Sequence, residues 1–166
     1  MSVRPVLTLP HPVLMATAPA VGDIDADARA LAEDLIDTMR ASPACVGLAA
    51  PQIGVSRRAF VVDVTGHPKA VSCHGMFVLF DPVIVTSDDP VTGREGCMSV
   101  PDLTGDVARA TRLTVTGLDV DGERRTLTVD AFEARAVLHE VDHLDGLVFL
   151  DRVVGSHAVF PRKTYR

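Results

Sequence analysis

The chain has 166 residues, of which 47% are hydrophobic, and this length predicts one domain with a substantial buried core. The formal net charge is −6 and the basic residues are dispersed, which excludes the clustered positive surface that nucleic acids and anionic membranes require. No secretory signal, long apolar segment or disulfide spacing is present. We therefore expect a single cytoplasmic domain over residues 1–166 that binds neither nucleic acid nor membrane.

The predicted elements begin with an amphipathic helix over residues 25–41. Its apolar side chains recur on one face at the spacing of an α-helix: Ala28, Leu31, Ala32, Leu35, Ile36 and Met39. Residues 47–54 follow as a mostly apolar segment, in which glycine and proline exclude regular helix. This segment is therefore predicted to be a loop of unusually apolar composition.

Strands are predicted in the middle of the chain, where β-branched and aromatic residues alternate with turn signals. The five strand segments are 59–64, 76–80, 83–86, 111–118 and 125–129. Asp81-Pro82 is expected to stop the second strand before the third begins. The last two flank a turn sequence at 119–123, which predicts an antiparallel hairpin.

A second helix is predicted from Ala131 to about Leu144, with Asp130 capping its first turn. Apolar residues lie on nearly every side of this helix, so we expect it to be buried. A strand-like run at 147–150 precedes a polar tail, about 155–166, that we expect to be loosely ordered. Together these elements predict an α+β fold, in which antiparallel and mixed short sheets pack around a central buried helix.

The second helix contains His139-Glu140-Val141-Asp142-His143, a pattern typical of metal-dependent hydrolases. Residues four apart lie on one helix face, so His139 and His143 can each offer an imidazole nitrogen to one ion. Glu140 points to a neighbouring face, where it can act as a general base toward water. The alternative is a set of buried polar residues with ordinary hydrogen-bond partners, but three such groups within five residues are costly.

A catalytic site of this kind needs a third protein ligand to the metal. One metalloprotease pattern continues to a third histidine, but Phe149 occupies that position. A downstream glutamate is excluded because Glu140 is the last glutamate in the chain, which leaves Asp145 and Asp151. Upstream, the thiolate of Cys97 is the best candidate.

Three segments, in this order, resemble the signature motifs of the peptide deformylase family: Gly47-Leu48-Ala49-Ala50-Pro51-Gln52, Glu95-Gly96-Cys97-Met98-Ser99 and His139-Glu140-Val141-Asp142-His143. The resemblance extends from Pro5-Val6-Leu7 to about Val153. It implies a monomeric, cytoplasmic hydrolase that removes the formyl group from the N-terminal formylmethionine of newly synthesised proteins and releases formate. Its partners would be N-formylmethionyl nascent peptides.

The resemblance also implies a role for each motif residue. Three residues would bind one divalent metal: Cys97, His139 and His143. The metal would natively be Fe²⁺, with Ni²⁺, Co²⁺ or Zn²⁺ as other occupants. Glu140 would transfer protons, and the Gln52 amide and the backbone N–H of Met98 would bind the formyl oxygen. Outside this motif, Gln52 would be interpreted as an ordinary turn amide.

Substrate binding is implied for residues on either side of the motifs. The backbone of Val46 and Gly47 would run beside the peptide like an added strand, where a small residue permits close approach. Phe132 and Arg135 would line the pocket for the methionine side chain. Core packing explains an aromatic residue at position 132 equally well.

The sequence departs from the family pattern at Cys45, where glycine is usual, and at Leu138, where glutamine is common. A side chain at Cys45 is expected to narrow the pocket, and Leu138 removes a polar group that could orient the metal ligands. Met98 replaces a leucine but would act through its backbone. Residues 151–166 contain glycine and proline, so we expect no carboxy-terminal helix for ribosome docking.

Two further functions remain open from the sequence. One is a related amidase with a shifted acyl preference, which the side chain at Cys45 motivates. The other is a catalytically silent module that binds N-terminal peptides, against which the intact Glu140 argues.

Overall fold

The computed structural model describes residues 2–163, which form an α+β fold of two α-helices, eight strands and short 3-10 helices. The first helix and the strands of one sheet are α1 (Ala26–Ala41), β1 (Gly47–Ala49), β2 (Ala59–Val62), β3 (Phe77–Ser87), β6 (Arg112–Leu118) and β7 (Arg124–Asp130). The second helix and the other strands are α2 (Ala131–Leu144), β4 (Pro90–Cys97), β5 (Val100–Ala110) and β8 (Val159–Pro161). The 3-10 helices are Pro12–Met15, Ala50–Ile53, Phe149–Arg152 and Ser156–Ala158.

Helix α1 confirms the prediction for residues 25–41. The Asp25 carboxylate accepts the backbone N–H of Ala28 at 2.9 Å and so caps the first turn. At the other end, the Ser42 backbone N–H donates to the carbonyl of Met39. The apolar face, with Leu35 fully buried, packs against β1 and β2.

The larger sheet has the strand order β1-β2-β3-β6-β7. Strands β6 and β7 form the predicted antiparallel hairpin, in register from Arg112–Asp130 to Leu118–Arg124. The predicted break at Asp81-Pro82 is wrong, because β3 is continuous through a register shift between Phe80 and Val83. Asp81 accepts the backbone N–H groups of Val21 and Gly22 at 2.7 and 2.9 Å, which fixes the irregularity in place.

The smaller sheet, with the order β4-β5-β8, was not predicted. Glycines and prolines interrupt β4 and β5, so neither shows the composition of a strand. Every strand pairing in the described part of the chain is antiparallel, so the prediction of mixed sheets is wrong. Strands β3 and β5 have 11 residues each and are longer than expected.

The tail expected to be loosely ordered contains strand β8. This strand pairs with β5 through Leu103–Pro161, Thr104–Phe160 and Gly105–Val159. Residues 164–166 of the predicted tail lie outside the described residues. The predicted strand at 147–150 is also wrong: a 3-10 helix begins at Phe149, whose side chain is 1% exposed in the core.

Helix α2 begins at Ala131 and ends at Leu144, as predicted. Asp130 occupies the N-cap position, but its side chain makes no capping hydrogen bond and lies 3.5 Å from Arg112 instead. The helix packs against β1 and β2 on one side and against β5 on another. No helix among residues 2–163 has the length and apolar character needed to cross a membrane.

Candidate active site

A cavity of about 330 Å³ lies where the segment before β1, the end of β4 and helix α2 meet. Most of the site residues predicted from the sequence line it: Val46, Gly47, Gln52, Cys97, Met98, Phe132, Arg135, His139 and Glu140. The exception is His143, which is fully buried behind Cys97. Three segments far apart in the chain therefore converge on one cavity.

Three potential metal ligands lie together at one end of this cavity. The donor atoms of Cys97, His139 and His143 all lie within 4.8 Å of one another. The Cys97 Sγ atom is 3.3 Å from Nε2 of His143. Helix geometry places the two imidazoles on one face of α2, and the end of β4 brings the thiol to them. One sulfur and two nitrogen donors suit Zn²⁺, Fe²⁺, Ni²⁺ or Co²⁺ and leave a fourth position open.

The downstream alternatives for a third ligand are engaged elsewhere. Asp145 pairs with Arg58 at 3.0 Å, and Asp151 accepts the backbone N–H of Val148 at 2.9 Å. Cys97 is the upstream candidate that the structure brings to the histidines.

Glu95 holds His139 in place, a role that the sequence did not reveal. Its Oε1 atom lies 2.8 Å from Nδ1 of His139, which directs the other ring nitrogen toward Cys97. Arg109 donates two hydrogen bonds to the same carboxylate, at 2.9 and 3.1 Å. Burial raises the pKa of Glu95, but the hydrogen bonds from His139 and Arg109 outweigh it and lower the pKa to about 2. Glu95 is therefore a fixed anion behind the site.

The charge network also includes Asp142, the residue directly before His143 in the histidine motif. Asp142 accepts hydrogen bonds from Arg109 and from Arg152, the latter at 3.2 Å. These ion pairs join β5, α2 and the 3-10 helix Phe149–Arg152. Buried charges are tolerated when they are paired. Because Arg109 binds both Glu95 and Asp142, it links the Glu95 carboxylate to α2. The sequence carries no local pattern that would have identified Arg109.

Glu140 faces the cavity with part of its carboxylate unpaired. The residue is 4% exposed, and its buried Oε2 atom has no hydrogen-bond partner in the described residues. Burial raises the pKa of Glu140 to about 7; the negative charge of Glu95 adds to this, while His139 and Arg109 oppose it. A carboxyl group with a pKa near neutrality can both accept and donate a proton at physiological pH.

Gly47 makes room for Glu140. A Cβ atom at position 47 would lie 2.8 Å from Oε1 of Glu140. This contact adds a reason for glycine beyond the close approach of substrate. Strand β1, which pairs with β2 at this residue, fixes the backbone beside the carboxylate.

The Gln52 amide is aimed at the metal ligands. This residue is 2% exposed, and its Oε1 atom accepts the backbone N–H of Ala49 at 3.0 Å. The Nε2 group then donates to Ser99 Oγ at 3.1 Å and lies 3.5 Å from Cys97 Sγ. Met98 lies beside Cys97 in the turn between β4 and β5 and lines the cavity. The sequence did not identify Ser99 as a partner of this amide.

The two residues expected to form the substrate pocket have different surroundings. Phe132 lines the cavity and stacks on His67, with ring centroids 3.9 Å apart. Arg135 lines the wall, but its guanidinium binds Glu95 at 2.8 Å and the carbonyl of Val107 at 2.9 Å. The charged end of Arg135 therefore stabilises the wall and the Glu95 anion.

The departures at Cys45 and Leu138 have separate consequences. Cys45 lines the cavity, and its thiol donates to the carbonyl of Gly47 at 3.1 Å. Burial and the charge of Glu140 raise the pKa of Cys45 to about 11, so the thiol is protonated at neutral pH. Leu138 packs against the hydrophobic core, and the orientation of His139 depends on Glu95 instead.

The chain is similar to known proteins of one family. A family model described as polypeptide deformylase matches residues 3–158. The chain is 44% identical to a peptide deformylase of Desulforudis audaxviator over 165 residues, which cover 98% of this chain and 99% of that protein. It also resembles the crystal structure of peptide deformylase from Ehrlichia chaffeensis, with a TM-score of 0.87, 31% identity and coverage of 94% of this chain and 90% of that chain.

A third similar structure is a Met-Ala-Ser bound class I type b peptide deformylase from Acinetobacter baumannii. Its TM-score is 0.83 at 33% identity, and the match covers 92% of this chain and 100% of that chain. Both structural matches therefore extend over more than nine-tenths of this chain.

Proposed function

We propose roles for the individual residues on the premise that this chain belongs to the polypeptide deformylase family. The chain is an enzyme, a metal-dependent hydrolase that removes the N-formyl group from newly made polypeptides. The assignment of the site rests on one observation: the donor atoms of Cys97, His139 and His143 lie within 4.8 Å of one another. No observation favours a shifted amidase or a silent binding module.

Cys97, His139 and His143 are the residues that would hold the metal, with Fe²⁺ as the native ion and Ni²⁺, Co²⁺ or Zn²⁺ as other occupants. The sulfur and nitrogen donors fit this set of ions, and Glu95 fixes the orientation of one imidazole. When bound, the metal supplies Lewis acidity toward water and the formyl carbonyl. We propose that α2, which packs against β1, β2 and β5 and carries both imidazoles, is the central element of the fold.

Glu140 is the proton-transfer residue. Glu140 lines the cavity, one of its carboxylate oxygens has no hydrogen-bond partner in the described residues, and its pKa of about 7 suits transfer in both directions. Water adds to the formyl carbon while Glu140 accepts its proton. The carboxyl group then delivers that proton to the amine nitrogen as the C–N bond breaks. The products are formate and a free N-terminus.

Gln52 and Met98 bind the formyl oxygen as it gains negative charge. The Gln52 Nε2 group is held beside Cys97, and the Met98 backbone N–H follows directly in the chain. Hydrogen-bond donors fixed before the reaction stabilise the developing charge without reorganisation.

The peptide binds as an extended strand between the free edges of β1 and β4, which both border the cavity. The backbone of Val46 and Gly47 pairs with it. The side chain of the first residue enters the cavity near Phe132 and the aliphatic part of Arg135. The similar structure from Acinetobacter baumannii with bound Met-Ala-Ser supports a methionyl peptide as the ligand class.

The remaining proposals concern the cellular setting. The enzyme acts as a cytoplasmic monomer on N-formylmethionyl nascent peptides. Size-exclusion chromatography with light scattering tests the monomer.

Formate release from formyl-Met-Ala-Ser by anaerobically prepared, Fe²⁺-loaded protein tests the function. The Glu140→Gln variant should keep its metal and lose turnover, whereas Glu123→Gln, on an exposed turn, should behave as wild type. An inert wild-type protein with full metal occupancy would refute the proposed function.

A further inference from the structure

Two arginines at the mouth of the cavity have no role in the chemistry described above. Side chains alternate along the end of β4, so that Glu95 and Cys97 are buried while Arg94 and Gly96 are exposed. Arg162, directly after β8, lies across this exposed side: its Nη2 donates to the carbonyl of Cys97 at 3.2 Å. Both Arg94 and Arg162 line the cavity.

Gly96 leaves the space that Arg162 occupies. A Cβ atom at position 96 would lie 2.5 Å from Nη2 of Arg162. The arginine is also held by its own backbone, which donates to the carbonyl of Asp102 at 2.9 Å. The guanidinium is therefore built into the rim of the cavity next to a proposed metal ligand.

Positive charge predominates at this rim. Arg94 uses its Nε to pair with Asp106 at 2.7 Å, and its guanidinium carbon lies 4.0 Å from the centre of the Phe160 ring. No carboxylate of the described residues 2–163 forms a salt bridge with Arg162. The carboxylate of Glu95, on the opposite side of β4, is already paired with Arg109 and Arg135. Among the described residues, Arg94 therefore has one ion-pair partner, Asp106, and Arg162 has none.

The side-chain alternation of an extended peptide determines which substrate residue meets these cations. If the first side chain enters the cavity toward α2, the second points to the opposite side of the strand. That is the solvent-facing side of β4, on which Arg94 and Arg162 lie. We propose that Arg162, assisted by Arg94, binds an acidic side chain at the second residue of the substrate. This inference rests on the proposed function.

Three peptides that differ only at the second residue test the inference: formyl-Met-Asp-Ala, formyl-Met-Ala-Ala and formyl-Met-Lys-Ala. With metal-loaded wild-type enzyme, kcat/KM for the aspartyl peptide should exceed that for the lysyl peptide by about fivefold to tenfold, the size expected of partly exposed charge pairs. The ratio should fall toward one as salt rises. Both kcat/KM values are measured on the same preparation, so the fraction of folded enzyme cancels from their ratio.

The variants Arg162→Gln and Arg94→Gln should each reduce this ratio, with the larger effect at Arg162, and Arg162→Lys should retain most of it. Arg124→Gln, which removes an exposed charge on β7, serves as the matched control and should leave the ratio unchanged. A wild-type ratio near one, or a ratio unaffected by both rim substitutions, overturns the inference. Hydrolysis of the alanyl peptide distinguishes failure of this inference from failure of the proposed function. If the proposed function failed, all three peptides would stay intact.

Discussion

Gly47→Ala tests whether the glycine of the first motif determines the position of the catalytic carboxylate. The added Cβ would lie 2.8 Å from Oε1, 3.1 Å from Cγ and 3.2 Å from Cδ of Glu140. Non-bonded heavy atoms prefer separations of about 3.5 Å or more, so the carboxylate must retreat by roughly 0.7 Å. The backbone cannot easily yield instead, since Gly47 is paired with Val62. A misplacement of about 1 Å costs on the order of 100-fold in rate, so we expect kcat/KM to fall by about 30- to 100-fold.

The assay is formate release from formyl-Met-Ala-Ser, with metal content measured on the same samples. Metal occupancy should be unchanged because the three heavy atoms nearest to the added Cβ all belong to Glu140 and none belongs to a proposed ligand. A double-mutant cycle with Glu140→Asp tests the same contact. The shorter aspartate side chain withdraws from position 47, so Gly47→Ala should lower kcat/KM by a smaller factor in that background. Wild-type activity in Gly47→Ala, or equal costs in the two backgrounds, would refute the reasoning.

Three other predictions follow from the charges around the site. Burial raises the pKa of Glu140 from 4.5 to about 7, so its ionisation opposes folding as pH rises through this range. Metal-free Glu140→Gln should therefore be more stable than metal-free wild type by up to about 3 kcal/mol above pH 7 and equal to it below pH 4, as urea unfolding would show. Glu95→Gln should weaken metal binding by about 10- to 100-fold in a chelator competition, whereas the exposed Glu123→Gln should not; equal affinities would contradict the role given to Glu95. Iodoacetamide at pH 7.5 should alkylate the exposed Cys73 before the half-buried Cys45, whose pKa is raised to about 11. Mass spectrometry that found Cys45 modified first would contradict this raised pKa.

The sequence predicts the elements that have a strong local period or turn signal. Helix α1 has an apolar face and a capping aspartate, and the hairpin of β6 and β7 has alternation and a clear turn. Strands β4 and β5 were not predicted, because their glycines leave space for side chains from other parts of the chain. Gly93 leaves room for the Arg135 guanidinium, and Gly96 leaves room for Arg162. Strand propensity does not record such contacts.

The same limit applies to the site. Its motif residues are recognisable because their spacing encodes helix geometry and a turn. The groups that orient them are not, because Arg109 on β5 reaches Glu95 on β4 and Asp142 on α2 only when these three elements are packed together. Glu95, on β4, holds the imidazole of His139, and no local pattern in the sequence indicates this contact, while the effect of Leu138 stays a prediction. Residues that act through long-range hydrogen bonds require the folded structure.

X-ray absorption at the metal edge of the loaded protein tests the central claim most directly. The proposed site predicts one sulfur at about 2.3 Å and two imidazole nitrogens at about 2.0–2.1 Å from the metal. In Cys97→Ala the sulfur signal should disappear. A wild-type spectrum without sulfur, or one that Cys97→Ala leaves unchanged, would contradict a metal held jointly by Cys97, His139 and His143.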